Sequence, residues 1–254
     1  VSIPYECYAD LIFNLACTAS PKFYQKNPIE TMKANVLGAI NVLNIAEKNN
    51  CRIFHASTSE VYGDPKEFPQ KETYLGNVNP NGVRSCYDEG KRAAESIFMD
   101  YYRTRCIKIK IARIFNVYGP KMRSDDGRLI SNLVIQALKN QPMTIYGDGS
   151  QTRSLCYIDD LLDGILKLMD TPDDVTGPVN LGNPDERSVL EIAGIIRDIT
   201  QSKSQIEFRP LPQDDPKRRC PDISLASSIL NWKPDVDLRT GIAKTVDYYR
   251  IELC

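Results

Sequence analysis

The sequence predicts an α/β protein built on a doubly wound parallel sheet, followed by a smaller α/β lobe. Three observations carry this. Short apolar runs of strand length alternate with stretches of helical periodicity. The β-α-β-α-β order of the first half calls for parallel strands joined by right-handed crossovers. Polar clusters fall at the ends of those strands, where the ligands of such sheets bind.

Ala9–Ala16 (ADLIFNLA) is a short apolar run suited to a buried parallel strand. Glu30–Asn49 carries Met32, Val36, Ala39, Ile40, Leu43 and Ala46 at helical spacing. Arg52–Ser57 is a second strand, ending in a Ser/Thr cluster, and Gly63–Val83 is a loop rich in Pro, Gly and Asn. Ser85–Thr104 is a helix, with Ser85 and Asp88 as a capping-box-like start and Ala93, Ala94, Ile97, Phe98 and Tyr101 continuing it. Ile107–Ile114 is the third strand. After Gly119-Pro120 the rhythm loosens. Helices are predicted at Leu129–Leu138, Leu161–Met169, Val189–Ile199, Ser224–Leu230 and Leu238–Tyr249. Strands are predicted at Met143–Tyr146, Thr152–Tyr157 and Gln205–Arg209. A loop at Leu211–Pro221 holds Asp214, Asp215, Arg218 and Arg219.

Composition narrows the function classes. The chain has 254 residues, 42% of them apolar, enough for a sizeable core. A net charge of −1 argues against a nucleic-acid groove or a basic membrane face. Eight cysteines lie scattered without CxxC spacing, and the only histidine, His55, falls in a strand, so no metal site is expected. Buried free thiols in a reducing compartment are the simpler reading. No run of 18 apolar residues and no signal-peptide pattern occurs in the sequence given.

The chemistry concentrates in Tyr87-Asp-Glu-Gly-Lys91 and Ser57-Thr58-Ser59-Glu60. Tyr and Lys four apart on a helix share a face. An ammonium beside a phenol lowers the phenol's pKa, which makes it a base for proton abstraction. The same spacing occurs in Tyr62-Gly-Asp-Pro-Lys66, where Gly63 and Pro65 dictate a turn and separate the pair. The competing reading of Tyr87 and Lys91 is a solvated helix face. No glycine precedes Gly38, so the Gly-rich turn that seats a dinucleotide pyrophosphate is not in the sequence given. Two or three βα units, on the order of 80 residues at roughly 30 per unit, are expected upstream, and the sequence reads as part of a longer polypeptide.

The segments NPIETMKANVLGAINVL (27–43), STSEVYGDP (57–65), NVNPNGVRSCYDEGKRAAE (77–95), IARIFNVYGPKM (111–122), DGRLISNLVIQAL (126–138), GDGSQTRSLCYIDD (147–160), VNLGNP (179–184) and DDPKRRCPDI (214–223) carry a family resemblance. The chain resembles the extended short-chain dehydrogenase/reductases acting on nucleotide sugars, and within them the UDP-glucuronate decarboxylases. The resemblance implies a Rossmann-like fold, with 1–120 a partial NAD-binding domain and 121–254 mainly a nucleotide-sugar lobe interleaved with the sheet. It implies NAD as cofactor, contacted by Leu15, Ala16, Thr58, Tyr87 and Lys91. It also implies UDP-glucuronate as substrate: C4 is oxidised, carbon dioxide leaves the resulting β-keto acid, and the ketone is reduced to give UDP-xylose. Tyr87 would exchange the C4 proton, Lys91 would hold the ribose and depress the Tyr87 pKa, and Thr58 would bond the C4 oxygen. Glu60 would assist protonation at C5, and Arg219 would face the sugar carboxylate. Lys33, Ser59, Asn116, Arg128, Tyr146 and Arg153 would contact the rest of the substrate.

Thr58-Ser59-Glu60 differs from the Thr-Asp-Glu of related 4,6-dehydratases, whose Asp expels a hydroxyl as an acid. A 4,6-dehydratase, a 4-epimerase and a non-catalytic nucleotide-sugar-binding chain are the alternatives. Asn14-Leu15-Ala16 departs from the family's His-Leu-Ala. For Glu60 the competing reading is a carboxylate capping the next turn, and for Arg219 an ion pair with Asp214 or Asp215, with Arg218 as the true ligand. The resemblance further implies a homodimer through the helices at Glu30–Asn49 and Ser85–Thr104. The compartment is expected to be the cytosol, with the Golgi lumen as the alternative if an anchor lies upstream.

Overall fold

The computed structural model describes residues 7–211 and 218–253. Asp214 and Asp215 lie outside the described residues. The elements in chain order are β1 (Leu11–Asn14), α1 (Pro21–Tyr24), α2 (Pro28–Asn49), β2 (Arg52–Thr58), α3 (Ser85–Arg105), β3 (Ile109–Ile114), β4 (Val117–Tyr118), α4 (Leu129–Leu138), β5 (Met143–Tyr146) and β6 (Thr152–Ser154). There follow β7 (Cys156–Tyr157), α5 (Ile158–Met169), β8 (Val179–Leu181), β9 (Glu186–Ser188), α6 (Val189–Thr200), β10 (Ile206–Arg209), α7 (Ser224–Leu230) and α8 (Leu238–Glu252).

A four-stranded sheet in the order β1-β2-β3-β8 is the frame, and its strands pair in parallel. Ile53, Phe54 and His55 of β2 are almost wholly buried, as expected for a strand covered on both faces. On one face Ala39, Leu43 and Ala46 of α2 and Ala94 and Phe98 of α3 meet Ile53, Ile109 and Ile111. On the other, Leu161, Ile165 and Leu168 of α5 and Trp232 pack on Phe54, Ala112 and Leu181. Each such Leu, Ile or Phe contributes roughly 1.5–3 kcal/mol on burial, so the two clusters fix the helices to the sheet. A third cluster, around Leu133, Val134, Met143, Ile192, Ile196, Ile242 and Val246, holds the second lobe.

Local chemistry sets the helix ends. Pro28 starts α2 at a position where its missing N–H costs nothing, and Asn50 ends it in the left-handed region (φ 46°). Ser188 and Glu191 form a capping box on α6. At α3 the expected box does not form. Arg84 is the N-cap residue without a side-chain cap bond, and Asp88 is drawn to the Arg84 guanidinium instead, 3.8 Å away. The helix starts one residue earlier than expected, so Ser85 and Asp88 fall at the first and fourth helical positions, where they cannot form a capping box.

The first strand also differs from expectation. Only Leu11–Asn14 pair with β2, and Leu11 (53%) and Phe13 (41%) are exposed rather than buried. Among the described residues β1 has a strand neighbour on one side only. β8, β9 and α1 were not anticipated, being three or four residues long.

Candidate active site

β2 ends at Thr58 in extended backbone, and the next four residues, Ser59–Tyr62, tighten into a 3₁₀ turn. The Glu60 amide donates to Thr58 Oγ1 (3.3 Å), which starts that turn. Gly63 closes it at φ 65°, a conformation only glycine adopts freely. Tyr62 and Lys66 are thereby separated, as the turn chemistry predicts. The Tyr62 hydroxyl is buried and donates to Asn180 Oδ1 (2.7 Å).

Helix α3 passes beneath this turn and presents Tyr87 and Lys91 on one buried face (6% and 4% exposed). Tyr87 stacks on Tyr24 of α1, ring centroids 5.1 Å apart and 4° from parallel. The Lys91 ammonium donates to the Ala56 carbonyl at 2.7 Å and lies 6.0 Å from the centre of the Tyr87 ring. The expectation that Lys91 depresses the Tyr87 pKa does not hold in this geometry. Burial pushes the Tyr87 phenol well above its ordinary value, and a hydrogen bond with the Thr58 side chain pulls the other way without reversing it. Burial likewise lowers Lys91.

Glu60 is the electrostatic centre. Arg219 donates through both terminal nitrogens to its two carboxylate oxygens, and Arg84 donates to one of them. All three side chains are about nine-tenths buried. Burial works to raise the Glu60 carboxyl, but Arg219 and then Arg84 overturn it and hold it below its usual range. In this arrangement Glu60 is an ionised carboxylate. Asp88, one turn along from Arg84, is pushed up to about 7 by burial and then by the Glu60 charge.

Apart from Asp88, these groups line one cavity of about 580 Å³ above the carboxyl edge of the sheet. Of the residues singled out in the sequence, Leu15, Thr58, Ser59, Glu60, Tyr87, Lys91 and Asn116 line it from the first half of the chain. Arg128, Tyr146, Arg153 and Arg219 line it from the second half. Arg128 is held by Asp126 (2.9 Å) and Arg153 donates to the Thr152 carbonyl (2.9 Å). Arg218 is not the inward arginine. It pairs with Glu186, lies 4.8 Å over the Phe68 ring and is half exposed. Two expected contacts do not reach the cavity. Lys33 sits on the outer surface of α2 in an ion pair with Glu30 (2.9 Å), and Ala16 is exposed beyond the end of β1.

Arg84 was not singled out in the sequence, although its position three before Tyr87, on the same helical face, is a readable signal. Asn14, in place of the family's histidine, donates through Nδ2 to His55 Nδ1 at 3.1 Å. His55 stacks on Phe98 at 4.5 Å, and burial lowers its pKa well below the ordinary value, so it is a neutral core histidine. Among the described residues no cluster of His, Cys, Asp or Glu is placed to hold a metal ion, and no helix is long and apolar enough to cross a membrane.

A profile of the NAD dependent epimerase/dehydratase family matches residues 6–182. The chain belongs to that family. UDP-glucuronic acid decarboxylase 1 of Arabidopsis thaliana is 52% identical over 247 residues, which cover 97% of this chain and 56% of that protein. UDP-glucuronic acid decarboxylase 3 of the same plant is 48% identical over 253 residues, covering 73% of its length. The chain thus spans little more than half of the first of these relatives. Among solved structures, UDP-glucuronic acid 4-epimerase from Bacillus cereus in complex with UDP-glucuronic acid and NAD superimposes with a TM-score of 0.87 at 29% identity, covering 96% of this chain and 76% of that one.

The family's cofactor can be tested against the residues present. At the β1–β2 end of the cavity an ammonium, a phenol and a threonine hydroxyl converge beside the apolar Leu15 side chain. Lys91 gives one of its donors to Ala56, and an ammonium has three, so ribose hydroxyls are chemistry it can complement. These residues fit the nicotinamide half of NAD.

Proposed function

We propose that the protein decarboxylates UDP-glucuronate to UDP-xylose, with NAD+ as a bound redox cofactor that is not consumed. The observation that carries this reading is Arg219: a nearly buried guanidinium that lines the same cavity as Tyr87, Thr58 and Glu60. A planar guanidinium is the side chain best matched to a carboxylate. The names of the two Arabidopsis thaliana relatives point the same way, and the solved Bacillus cereus 4-epimerase, in complex with UDP-glucuronic acid and NAD, supports the substrate class and cofactor but not the decarboxylation.

Bound NAD+, held by Lys91, Tyr87, Thr58 and Leu15, would supply the two-electron oxidation at C4 and its reversal. The remaining chemistry belongs to the side chains. Tyr87 would act as its phenolate, taking the C4 hydroxyl proton to become the phenol and returning it when the ketone is reduced, with Thr58 bonded both to it and to the sugar oxygen. With C4 a ketone, the carboxylate is β to a carbonyl, and loss of carbon dioxide leaves its electron pair on that oxygen. Tyr87 and Thr58 are the donors placed to stabilise it. Arg219 cannot grip Glu60 and the sugar carboxylate with the same pair of N–H groups. Its transfer to the sugar would remove the largest charge holding Glu60 ionised and raise the Glu60 pKa, so that the carboxylate can take a proton from water and pass it to C5. Arg84 stays behind as its partner. Ser59 lines the cavity where a 4,6-dehydratase needs an acid, and a hydroxyl cannot fill that role. Across the cavity, Arg128, Arg153, Asn116 and Tyr146 are suited to the diphosphate and nucleoside.

Two coarser features complete the proposal. The scattered cysteines favour a reducing compartment, the cytosol. Exposed Ile29 and Leu37 on α2 favour a homodimer through α2 and α3. The test of the activity is the product that the purified protein, loaded with NAD+, makes from UDP-glucuronate. A UDP-pentose with no net change in cofactor redox state supports the reading. A product retaining six sugar carbons would assign the site to an epimerase or dehydratase.

A further inference from the structure

The site's sugar-facing guanidinium is only as well placed as the backbone behind it, and that backbone is clipped to a distant loop. Gln70 donates its N–H to the Cys220 carbonyl (2.9 Å) and accepts the Asp222 N–H on its own carbonyl (2.8 Å), a one-residue bridge opposite Pro221. Its side-chain Oε1 accepts the Cys220 N–H at 3.0 Å. Its Nε2 donates to the Glu67 carbonyl (2.9 Å), which fixes the amide with Oε1 toward Cys220. Beneath it, Asn180 of β8 donates through Nδ2 to the Gln70 and Asp222 carbonyls (2.9 and 3.1 Å). Gln70 is 1% exposed and Asn180 0%. Neither lines the cavity.

We propose that Gln70, seated on Asn180, is a positioning residue: it sets where the Arg219 guanidinium stands in the cavity and so governs discrimination for sugars that carry a carboxylate. The inference rests on the reading of Arg219 as the group that meets the sugar carboxylate. The residue next to Arg219 has both its N–H and its carbonyl bonded to Gln70, so the arginine's Cα has little freedom. Buried polar groups stay paired, and loss of Oε1 leaves the Cys220 N–H with no acceptor inside the protein. The segment then moves to find one, and a long side chain carries that displacement to its tip. A shift of about 1 Å in a positioning group is enough to cost orders of magnitude in rate.

The test compares Gln70→Leu, close in shape but without the acceptor, with Gln70→Glu, which keeps an acceptor oxygen, in the full-length protein loaded with NAD+. Dissociation constants for UDP-glucuronate and for UDP-glucose, which lacks the carboxylate, are measured by calorimetry, alone and combined with Arg219→Ala. Gln70→Leu is expected to weaken UDP-glucuronate about tenfold and leave UDP-glucose unchanged, and to add nothing once Arg219 is gone. Gln70→Glu should recover most of the loss at a pH low enough to keep its buried carboxyl protonated, where the O–H replaces Nε2 as donor to the Glu67 carbonyl. If the leucine variant does not fold, Gln70→Asn, which draws the amide back by one methylene, reads the same discrimination. Equal weakening of both sugars, or full additivity with Arg219→Ala, overturns the positioning role and leaves the reading of Arg219 intact. Equal binding of the two sugars by the unaltered protein, with Arg219→Ala changing neither, overturns that reading and the inference with it.

Discussion

Tyr87 is stacked between the Tyr24 ring and the end of β2, with its phenol raised by burial and bonded to Thr58. Replacing the hydroxyl removes the proton acceptor while leaving the ring that packs on Tyr24. Tyr87→Phe is therefore expected to lower kcat by about 10²–10⁴ with little change in substrate binding, read by steady-state kinetics and calorimetry. An unchanged kcat would remove Tyr87 from the chemistry. Glu60 bears on stability as well. Its charge is shared between Arg219 and Arg84, and Glu60→Gln leaves two nearly buried guanidiniums facing a neutral amide. Removing one partner of such a pair costs about 3–5 kcal/mol, discounted here because each arginine is about one-tenth exposed, so roughly 2–4 kcal/mol in urea unfolding. A smaller loss in a variant that also lacks Arg84 would show that the cost is the stranded charge.

At the scale of elements, α3 carries a titration that opposes folding. The Asp88 carboxyl stands ordinarily at 3.8 and is pushed up to about 7, by burial first and the Glu60 charge second. The folded chain therefore holds this proton more tightly than the unfolded chain, so its contribution is best at low pH. It declines as pH rises through the window from about 4 to about 7. Asp88→Asn removes the titration, and its stability relative to the unaltered protein should improve between those limits by on the order of 1–2 kcal/mol, read as urea midpoints at each pH. A gap that stays constant with pH would contradict this. The turn after β2 is the second constrained element. Gly63 lies at φ 65°, and a Cβ there would run into the Asn77 carbonyl. Gly63→Ala should cost at least about 1–3 kcal/mol of stability and disturb the Thr58–Glu60 turn. These two elements were unequally legible. The turn follows from Gly63 and Pro65, whereas α3 starts one residue earlier than its apparent capping signal implies, a boundary that local sequence does not fix.

For the whole molecule, alternating strands and helices made the parallel sheet readable, and the strand-end rule put Ser57–Glu60 and Asn116 together. β8 escaped notice because it is three residues long and places a polar Asn180 between Val179 and Leu181, yet it brings the second lobe into the main sheet. The Arg219–Glu60 contact spans 159 positions, a distance no local pattern reports. The two residues entered separately through the family resemblance, with no expectation that they pair, and Lys33, taken from the same source, is a surface residue. For the expected dimer, Leu43 of α2 and Phe98 of α3 belong to the subunit core, and Ile29 and Leu37 are the apolar residues exposed on α2. Sedimentation at micromolar concentration is expected to give a dimer or a multiple of it, and a monomer would count against the α2–α3 interface. The central claim is that Arg219, Glu60 and Tyr87 act together on a sugar carboxylate, and it is tested most directly with UDP-glucuronate labelled at its carboxyl carbon. The label is expected to leave as carbon dioxide, one for each UDP-pentose formed, with release abolished in Tyr87→Phe. Label retained in the nucleotide sugar while the substrate is consumed would contradict the account.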